Sequence, residues 1–139
     1  QKEELFKKIV RRKFVKGSRP FIRQLKKRGV LLALVTGTSR HETIKLLHKD
    51  LLQLFDATVT GDEVSRGKPH PEPFLKALQL LSISAQDALV IENAPFGIES
   101  AKRAHLYCLA LETSLPRKYL RKADRVIPSF QALRKIISL

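Results

Sequence analysis

The stretch from Ala88 to Ala104, with the sequence A-L-V-I-E-N-A-P-F-G-I-E-S-A-K-R-A, constrains the fold more than any other part of the chain. Its first four residues are apolar and too few for a helix, so they predict a buried strand. Pro95 suits the first position of a helix, and apolar residues then recur at helical spacing at Ile98 and Ala101. A buried strand followed closely by a helix is typical of parallel α/β folds.

Glu92 and Asn93 lie where this strand is predicted to end. Ligands of open α/β sheets bind at the carboxyl ends of the strands, so an acid there is a candidate for a metal or phosphate site. The alternative is that both residues only cap and solvate the helix, since acids are favoured in a first helical turn. These two residues alone leave both interpretations open.

The same alternation extends along the chain. Strands are predicted at residues 30–35, 57–60, 88–91, 106–111 and 125–127, and helices at 2–15, 20–28, 39–51, 74–81 and 130–137. Ser18 can cap the helix that Pro20 opens, and Ser39 with Glu42 forms a capping box. Strands alternating with helices predict a parallel sheet with right-handed crossovers.

Composition narrows the class of protein. A chain of 139 residues has room for one domain, and its longest apolar run, residues 30–35, is far too short to span a membrane, so we expect no membrane partner. Cys108, the single cysteine, lies in an apolar run and predicts a buried thiol in a cytoplasmic protein. The four histidines are scattered, which argues against zinc.

The charge is strongly positive, with a net value of +14, and residues 1–28 carry twelve Lys and Arg against two Glu. Such a face can bind nucleic acid or an acidic partner through electrostatics. Aromatic residues make up only 6% of the chain, however, so stacking platforms for bases are few. On composition alone we favour a solvated basic helix over a nucleic-acid partner.

Polar side chains at three predicted strand or loop positions can converge at one edge of the sheet. Thr36 follows the strand at 30–35, Lys68 lies in a proline-rich loop, and Glu92 with Asn93 follows the strand at 88–91. A hydroxyl beside backbone amides, a fixed cation and a carboxylate able to hold Mg²⁺ describe a site for phosphoryl transfer. The residues themselves supply no evident nucleophile. A lysine such as Lys68, taken alone between Gly67 and Pro69, is more often a solvated turn lysine than a catalytic one.

Three segments, at residues 32–40, 64–74 and 89–104, read L-A-L-V-T-G-T-S-R, V-S-R-G-K-P-H-P-E-P-F and L-V-I-E-N-A-P-F-G-I-E-S-A-K-R-A. They resemble the second, third and fourth motifs of the haloacid dehalogenase superfamily, in the branch that contains β-phosphoglucomutase and phosphoglycolate phosphatase-like enzymes. The resemblance implies a Rossmann-like α/β core with a parallel sheet and flanking helices. It extends from about Val15 to Leu139.

The resemblance also implies roles for individual residues. Thr36 would hold a phosphoryl oxygen with the Gly37 amide beside it, and Lys68 would neutralise the phosphoryl group and the nucleophile. Glu92 would ligate or support Mg²⁺, with Asn93 at the second acidic position. Because Asn93 offers an uncharged oxygen, we expect weaker Mg²⁺ binding than with an Asp.

The first motif of the family, Asp-x-Asp-x-Thr, does not occur in this sequence. In the family it supplies the Asp nucleophile and ends the central strand, between the strands that lead to Thr36 and Glu92. Residues 1–16 would then be a remnant of the helical cap and linker, and 17–139 an incomplete core domain. We therefore expect a carboxyl-terminal fragment, or a second polypeptide that completes the sheet.

The resulting expectation is a phosphatase that acts in its complete form on a small phosphorylated metabolite, through an Asp nucleophile and Mg²⁺. The chain by itself should be inactive. The alternative is a non-catalytic binding or scaffold protein that uses its basic face for nucleic acid or an acidic partner.

Overall fold

The computed structural model describes residues 17–137, which form parallel β-strands flanked by α-helices. The strands are β1 (Ala33–Val35), β2 (Ala57–Val59), β3 (Leu89–Glu92), β4 (Tyr107–Leu111) and β5 (Arg125–Ile127). The helices are α1 (Ser18–Lys27), α2 (Arg40–Leu46), α3 (Lys49–Leu52), α4 (Glu72–Leu81), α5 (Pro95–Arg103) and α6 (Phe130–Ile136). The α/β class with a parallel sheet is confirmed; the predicted helix at 2–15 and the predicted cap remnant at 1–16 lie outside the described residues.

The strands form two separate parallel ladders. β1 pairs with β2, with Ala33 opposite Ala57, and β4 lies between β3 and β5, with Leu89 opposite Tyr107. Within residues 17–137, no ladder joins β1 to β3. This is the position at which the resemblance places a further strand.

Two apolar cores nevertheless hold the two ladders together. One core lies on the side of α1 and α6 and combines Leu34 of β1 with Leu109 and Leu111 of β4. The other lies on the side of α4 and α5, where partly buried Val35 of β1 packs against a cluster that includes Val90 of β3. Because both cores contain residues from both ladders, the ladders lie side by side as two parts of one layer.

The predicted strand at 30–35 is wrong in its first half. The paired strand begins at Ala33, and Val30 and Leu31 are 42% and 49% exposed. The strand at 88–91 is also less buried than predicted, because Leu89 is half-exposed. Apolar residues at the start of a strand are buried only when a neighbouring strand or helix covers them. Within residues 17–137, no strand lies between β1 and β3 to provide such cover.

Two helix predictions need correction. Ser18 does not cap α1: it is the first helical residue, Gly17 occupies the cap position with a φ of 82°, and the buried Ser18 hydroxyl has no hydrogen-bond partner among the described residues. The predicted helix at 39–51 is broken into α2 and α3, because Leu47 and His48 have extended backbones.

Other local predictions match the structure. Ser39 caps α2 by accepting a hydrogen bond from the Glu42 amide at 3.2 Å, Pro95 opens α5, and Cys108 is fully buried. Burial raises the pKa of the Cys108 thiol to about 12. In the part of the chain that the structure describes, no helix has the length and apolar character needed to cross a membrane.

Candidate active site

The first part of the candidate site is the loop at residues 36–39, which we call the phosphate loop. It leaves the carboxyl end of β1, and the Thr36 amide donates to the carbonyl of Val59 at 2.9 Å. The Thr36 hydroxyl oxygen accepts a hydrogen bond from the Thr38 amide at 3.1 Å, which leaves its own proton free to donate to a ligand. Gly37 is exposed, so a ligand can approach its backbone closely.

Charged side chains from the end of β2 clamp the far side of this loop. The Arg40 guanidinium donates to both carboxylate oxygens of Glu63, at 2.9 and 2.8 Å, and to the carbonyl of Thr58 at 3.1 Å. The Arg40 amide also donates to Asp62 at 3.0 Å. Paired hydrogen bonds of this kind fix the plane of a guanidinium as well as its position.

The electrostatics of the clamp favour its charged form. The Arg40 hydrogen bond lowers the pKa of Glu63 from 4.5 to about 2, and the Thr60 hydroxyl lowers the pKa of Asp62 below its usual range. Gly61 approaches the loop from the same side, and a Cβ there would overlap the carbonyl of Gly37. The phosphate loop is therefore positioned by the end of β2 as well as by its own strand.

The second part of the site is an ion pair between Lys68 and Glu92, which we call the buried pair. The Lys68 Nζ lies 2.6 Å from Glu92 Oε1 and 3.0 Å from the carbonyl oxygen of Val35. The two side chains are only 17% and 10% exposed. One amine thus joins the carboxyl end of β1 to the carboxyl end of β3, across the position where the two ladders are not paired.

Local packing fixes both members of the pair. The Lys68 ammonium lies 5.2 Å from the centre of the Phe74 ring, and Glu92 Oε2 accepts from the Asn93 amide at 3.1 Å. The Glu92 carboxylate lies against the first turn of α5, where a Cβ on Gly97 would overlap it. Gly97 is therefore needed for the close approach of the carboxylate to the helix.

The loop that carries Lys68 is tied down at several points. Glu72, in the first turn of α4, accepts hydrogen bonds from the amides of Ser65 and Arg66 at 2.7 and 3.1 Å. The carbonyl of His70 accepts from the buried Ser100 hydroxyl at 2.6 Å, and the Lys68–Pro69 peptide is cis. These contacts give His70 a structural role in the loop.

The residues that could hold a metal ion lie at the carboxyl end of β3. Glu92 and Asn93 offer one carboxylate and one amide oxygen, and Mg²⁺ commonly binds through one or two carboxylates together with water and substrate phosphate. Within residues 17–137, no group of three or more His, Cys, Asp or Glu side chains is placed to hold a metal. The available oxygens fit Mg²⁺ chemically, and water, substrate phosphate or a further carboxylate would fill the remaining positions.

The structure brings together the Val35 carbonyl, which precedes Thr36, the Lys68 amine and the Glu92 carboxylate. The roles assigned to Thr36, Gly37, Lys68, Glu92 and Asn93 stay predictions. Sequence reasoning missed Arg40, Asp62 and Glu63, although all three are charged and lie close to the predicted motifs. It also missed the reason for Gly97.

Comparison with known proteins identifies the family. The haloacid dehalogenase-like hydrolase family matches residues 2–111, and the chain belongs to it. Validoxylamine A 7′-phosphate phosphatase of Streptomyces hygroscopicus subsp. limoneus is 36% identical over 121 residues, which are 86% of this chain and 57% of the relative. The phosphorylated carbohydrates phosphatase of Thermotoga maritima is 33% identical over 105 residues, which are 75% of this chain and 48% of the relative.

Solved structures agree with this assignment. A Thermotoga maritima structure assigned provisionally as a β-phosphoglucomutase has a TM-score of 0.80 and 30% identity, over 88% of this chain and 59% of that chain. CbbY from Rhodobacter sphaeroides, solved in complex with phosphate, has a TM-score of 0.73 and 29% identity, over 84% of this chain and 54% of that chain. The predicted superfamily and branch are confirmed, and the chain spans about half the length of the curated relatives described above.

Proposed function

We propose that the natural protein is a phosphatase that hydrolyses the phosphate monoester of a small metabolite. The observation that carries this proposal is the bridge made by Lys68, whose amine contacts both the Val35 carbonyl and the Glu92 carboxylate. This bridge places the Lys68 cation between the phosphate loop, which has hydrogen-bond donors, and the Glu92 carboxylate. Binding and transfer of a phosphoryl group use donors and cations in such an arrangement. Both relatives described above are phosphatases, and one acts on phosphorylated carbohydrates.

In the proposed reaction, an Asp carboxylate outside this sequence attacks phosphorus, the bond to the substrate oxygen breaks, and that oxygen takes a proton from solvent. Water then attacks the phosphorus of the phospho-aspartate and gives a proton back to solvent; the bond to the Asp oxygen breaks, which releases inorganic phosphate and restores the carboxylate. Thr36 and the Gly37 amide would hold two phosphoryl oxygens, and Lys68 would neutralise the charge that develops on them. Mg²⁺, held by Glu92, Asn93 and the further carboxylate, would neutralise the remaining phosphoryl charge.

We also propose that an extended segment lies between β1 and β3 in the active protein. Both strands present an unpaired edge toward each other within the described residues, and unpaired strand edges are costly when they are not hydrogen-bonded. The segment would come from the remainder of the natural polypeptide or from a second chain, and it would carry the Asp at its carboxyl end. The 139-residue chain alone is then expected to release no phosphate from any monoester.

The test is phosphate release from a panel of sugar phosphates and other small monoesters, using the polypeptide as its native cell produces it, together with any second chain that copurifies with it. We expect hydrolysis with Mg²⁺ and loss of hydrolysis with a chelator. The Asn93→Asp variant should reach its half-maximal rate at a lower Mg²⁺ concentration, because a charged ligand binds the ion more strongly. An absence of phosphate release across the panel would refute the proposed function.

A further inference from the structure

A basic surface groove lies between α1 and α6, away from the candidate active site. Its volume is about 430 Å³. Within residues 17–137, the residues that line it are Arg19, Pro20, Arg23, Gln24, Lys27 and Arg134. Four of the six are cationic and none is acidic, so the groove has the charge of an anion-binding site.

Two of the groove cations, Arg23 and Lys27, are exposed to a ligand. Arg19 is partly exposed, and its buried Nε has no hydrogen-bond partner within residues 17–137. Arg134 donates to the neutral side chain of Gln24 at 2.7 Å. Arg23 lies 3.3 Å from Asp50, but the two side chains are 54% and 63% exposed, and such pairs contribute little. For the other three cations, no acidic partner at ion-pair distance occurs in the described part of the chain.

The spacing of these cations indicates an extended ligand. Arg19, Arg23 and Lys27 are four residues apart on α1, so they form a row with steps of about 6 Å along one helix face. A row of this kind matches a chain of regularly spaced anions better than it matches one ion. In the sequence, the excess of positive charge continues through residues 1–28, with twelve Lys and Arg against two Glu.

We propose that the α1–α6 groove binds the phosphodiester backbone of a nucleic-acid strand. Guanidinium groups match phosphate oxygens in geometry, and binding to the backbone needs no aromatic platform, which removes the objection that the low aromatic content raises. An acidic peptide is less well matched, because peptide recognition relies on apolar anchors and Pro20 is the only apolar residue among residues 17–137 that lines the groove. The groove shares no residue with the candidate active site, so this proposal does not depend on the proposed phosphatase activity.

The test is fluorescence anisotropy of a labelled mixed-sequence RNA strand of about 20 nucleotides, titrated with the natural polypeptide at several salt concentrations. Four contacts between groove cations and RNA phosphates predict that log K, where K is the association constant, falls linearly with the logarithm of the salt concentration, with a slope of about −3. The variant Arg19→Gln/Arg23→Gln/Lys27→Gln should bind at least ~10-fold more weakly, with a slope smaller by about 2. The matched control Lys118→Gln/Arg121→Gln/Lys122→Gln removes the same charge from another exposed surface and should change binding less than about threefold.

Three results would overturn the proposal. Equal losses in both triple variants would mean that only net charge acts, and no measurable binding at ~50 mM salt would mean that there is no site. Polyglutamate competing as strongly as unlabelled RNA of equal charge would assign the groove to acidic proteins instead. If thermal unfolding shows that the triple groove variant does not fold, the single charge-reversal variant Lys27→Glu, at an exposed side chain, replaces it. Lys27→Glu should still weaken RNA binding more than Lys118→Glu does.

Discussion

The phosphate loop and the buried pair lie at the same edge of the fold, yet they are held in place differently. The loop is fixed near solvent by several contacts, from its own strand, from the end of β2 and from the Arg40 clamp. The buried pair is held by fewer hydrogen bonds, and its two side chains are only 17% and 10% exposed. A loop that is held by several contacts stays in place when any one of them is lost. Substitutions in the phosphate loop should therefore lower the stability less than substitutions in the buried pair.

The largest effect is expected from removing one member of the buried pair. Lys68→Met leaves the Glu92 carboxylate without its cation and should lower the free energy of unfolding by about 3 kcal/mol, the lower end of the range for a buried pair. Replacing both residues, with Lys68→Met and Glu92→Gln together, should recover part of that loss. Chemical denaturation of the two single variants and the double variant measures the coupling, and additive losses would mean that the pair is not coupled.

Next in size are two glycine substitutions, one at each part of the site. Gly61→Ala and Gly97→Ala should each cost about 1–3 kcal/mol of stability, because the new Cβ overlaps the Gly37 carbonyl in one case and the Glu92 carboxylate in the other. Gly67→Ala is the matched control, since its Cβ would meet no atom within 4 Å. Equal melting temperatures for all three variants would show that neither close approach is required.

A smaller effect is expected from the clamp. Arg40 and Glu63 are 41% and 32% exposed, so their coupling free energy should be no more than about 1 kcal/mol. A double-mutant cycle with Arg40→Gln and Glu63→Gln measures it. A coupling as large as that of Lys68 with Glu92 would contradict the comparison between the two parts of the site.

The clamp should also give the most specific effect, a dependence of stability on pH. The pKa of Glu63 is lowered from 4.5 to about 2, so its stabilising contribution is complete above pH 4.5 and is lost as the pH falls toward 2. In Glu63→Gln, the free energy of unfolding should fall less steeply over this interval than in the unmodified protein. Denaturant titrations at several pH values provide the slope, and identical slopes would remove Glu63 from the acid response.

The parts of the fold that depend on local sequence were predictable. The Ser39 cap, the start of α5 at Pro95 and the strand at Arg125–Ile127 follow from residues adjacent in the chain. The starting point of β1 was not predictable from the run at 30–35, because a strand extends only as far as its neighbour pairs with it. The break between α2 and α3 also lies within a run whose apolar spacing is helical.

The candidate site shows the same limit. The motifs around Thr36, Lys68 and Glu92 could be identified because each is contiguous in sequence. The clamp could not, because Arg40 and Glu63 are 23 residues apart and nothing in either segment indicates that they meet. The role of Gly97 likewise depends on where the Glu92 carboxylate points, which only the folded chain determines.

The central claim is that the two parts of the site act on one phosphoryl group through Lys68. The most direct measurement is the kcat of the natural polypeptide and of its Lys68→Ala variant on the same phosphate monoester, with the exposed Lys49→Ala as control. Loss of a preorganised charge at the transition state predicts a decrease of at least ~100-fold for Lys68→Ala and little change for Lys49→Ala. An unchanged kcat in Lys68→Ala would contradict the account.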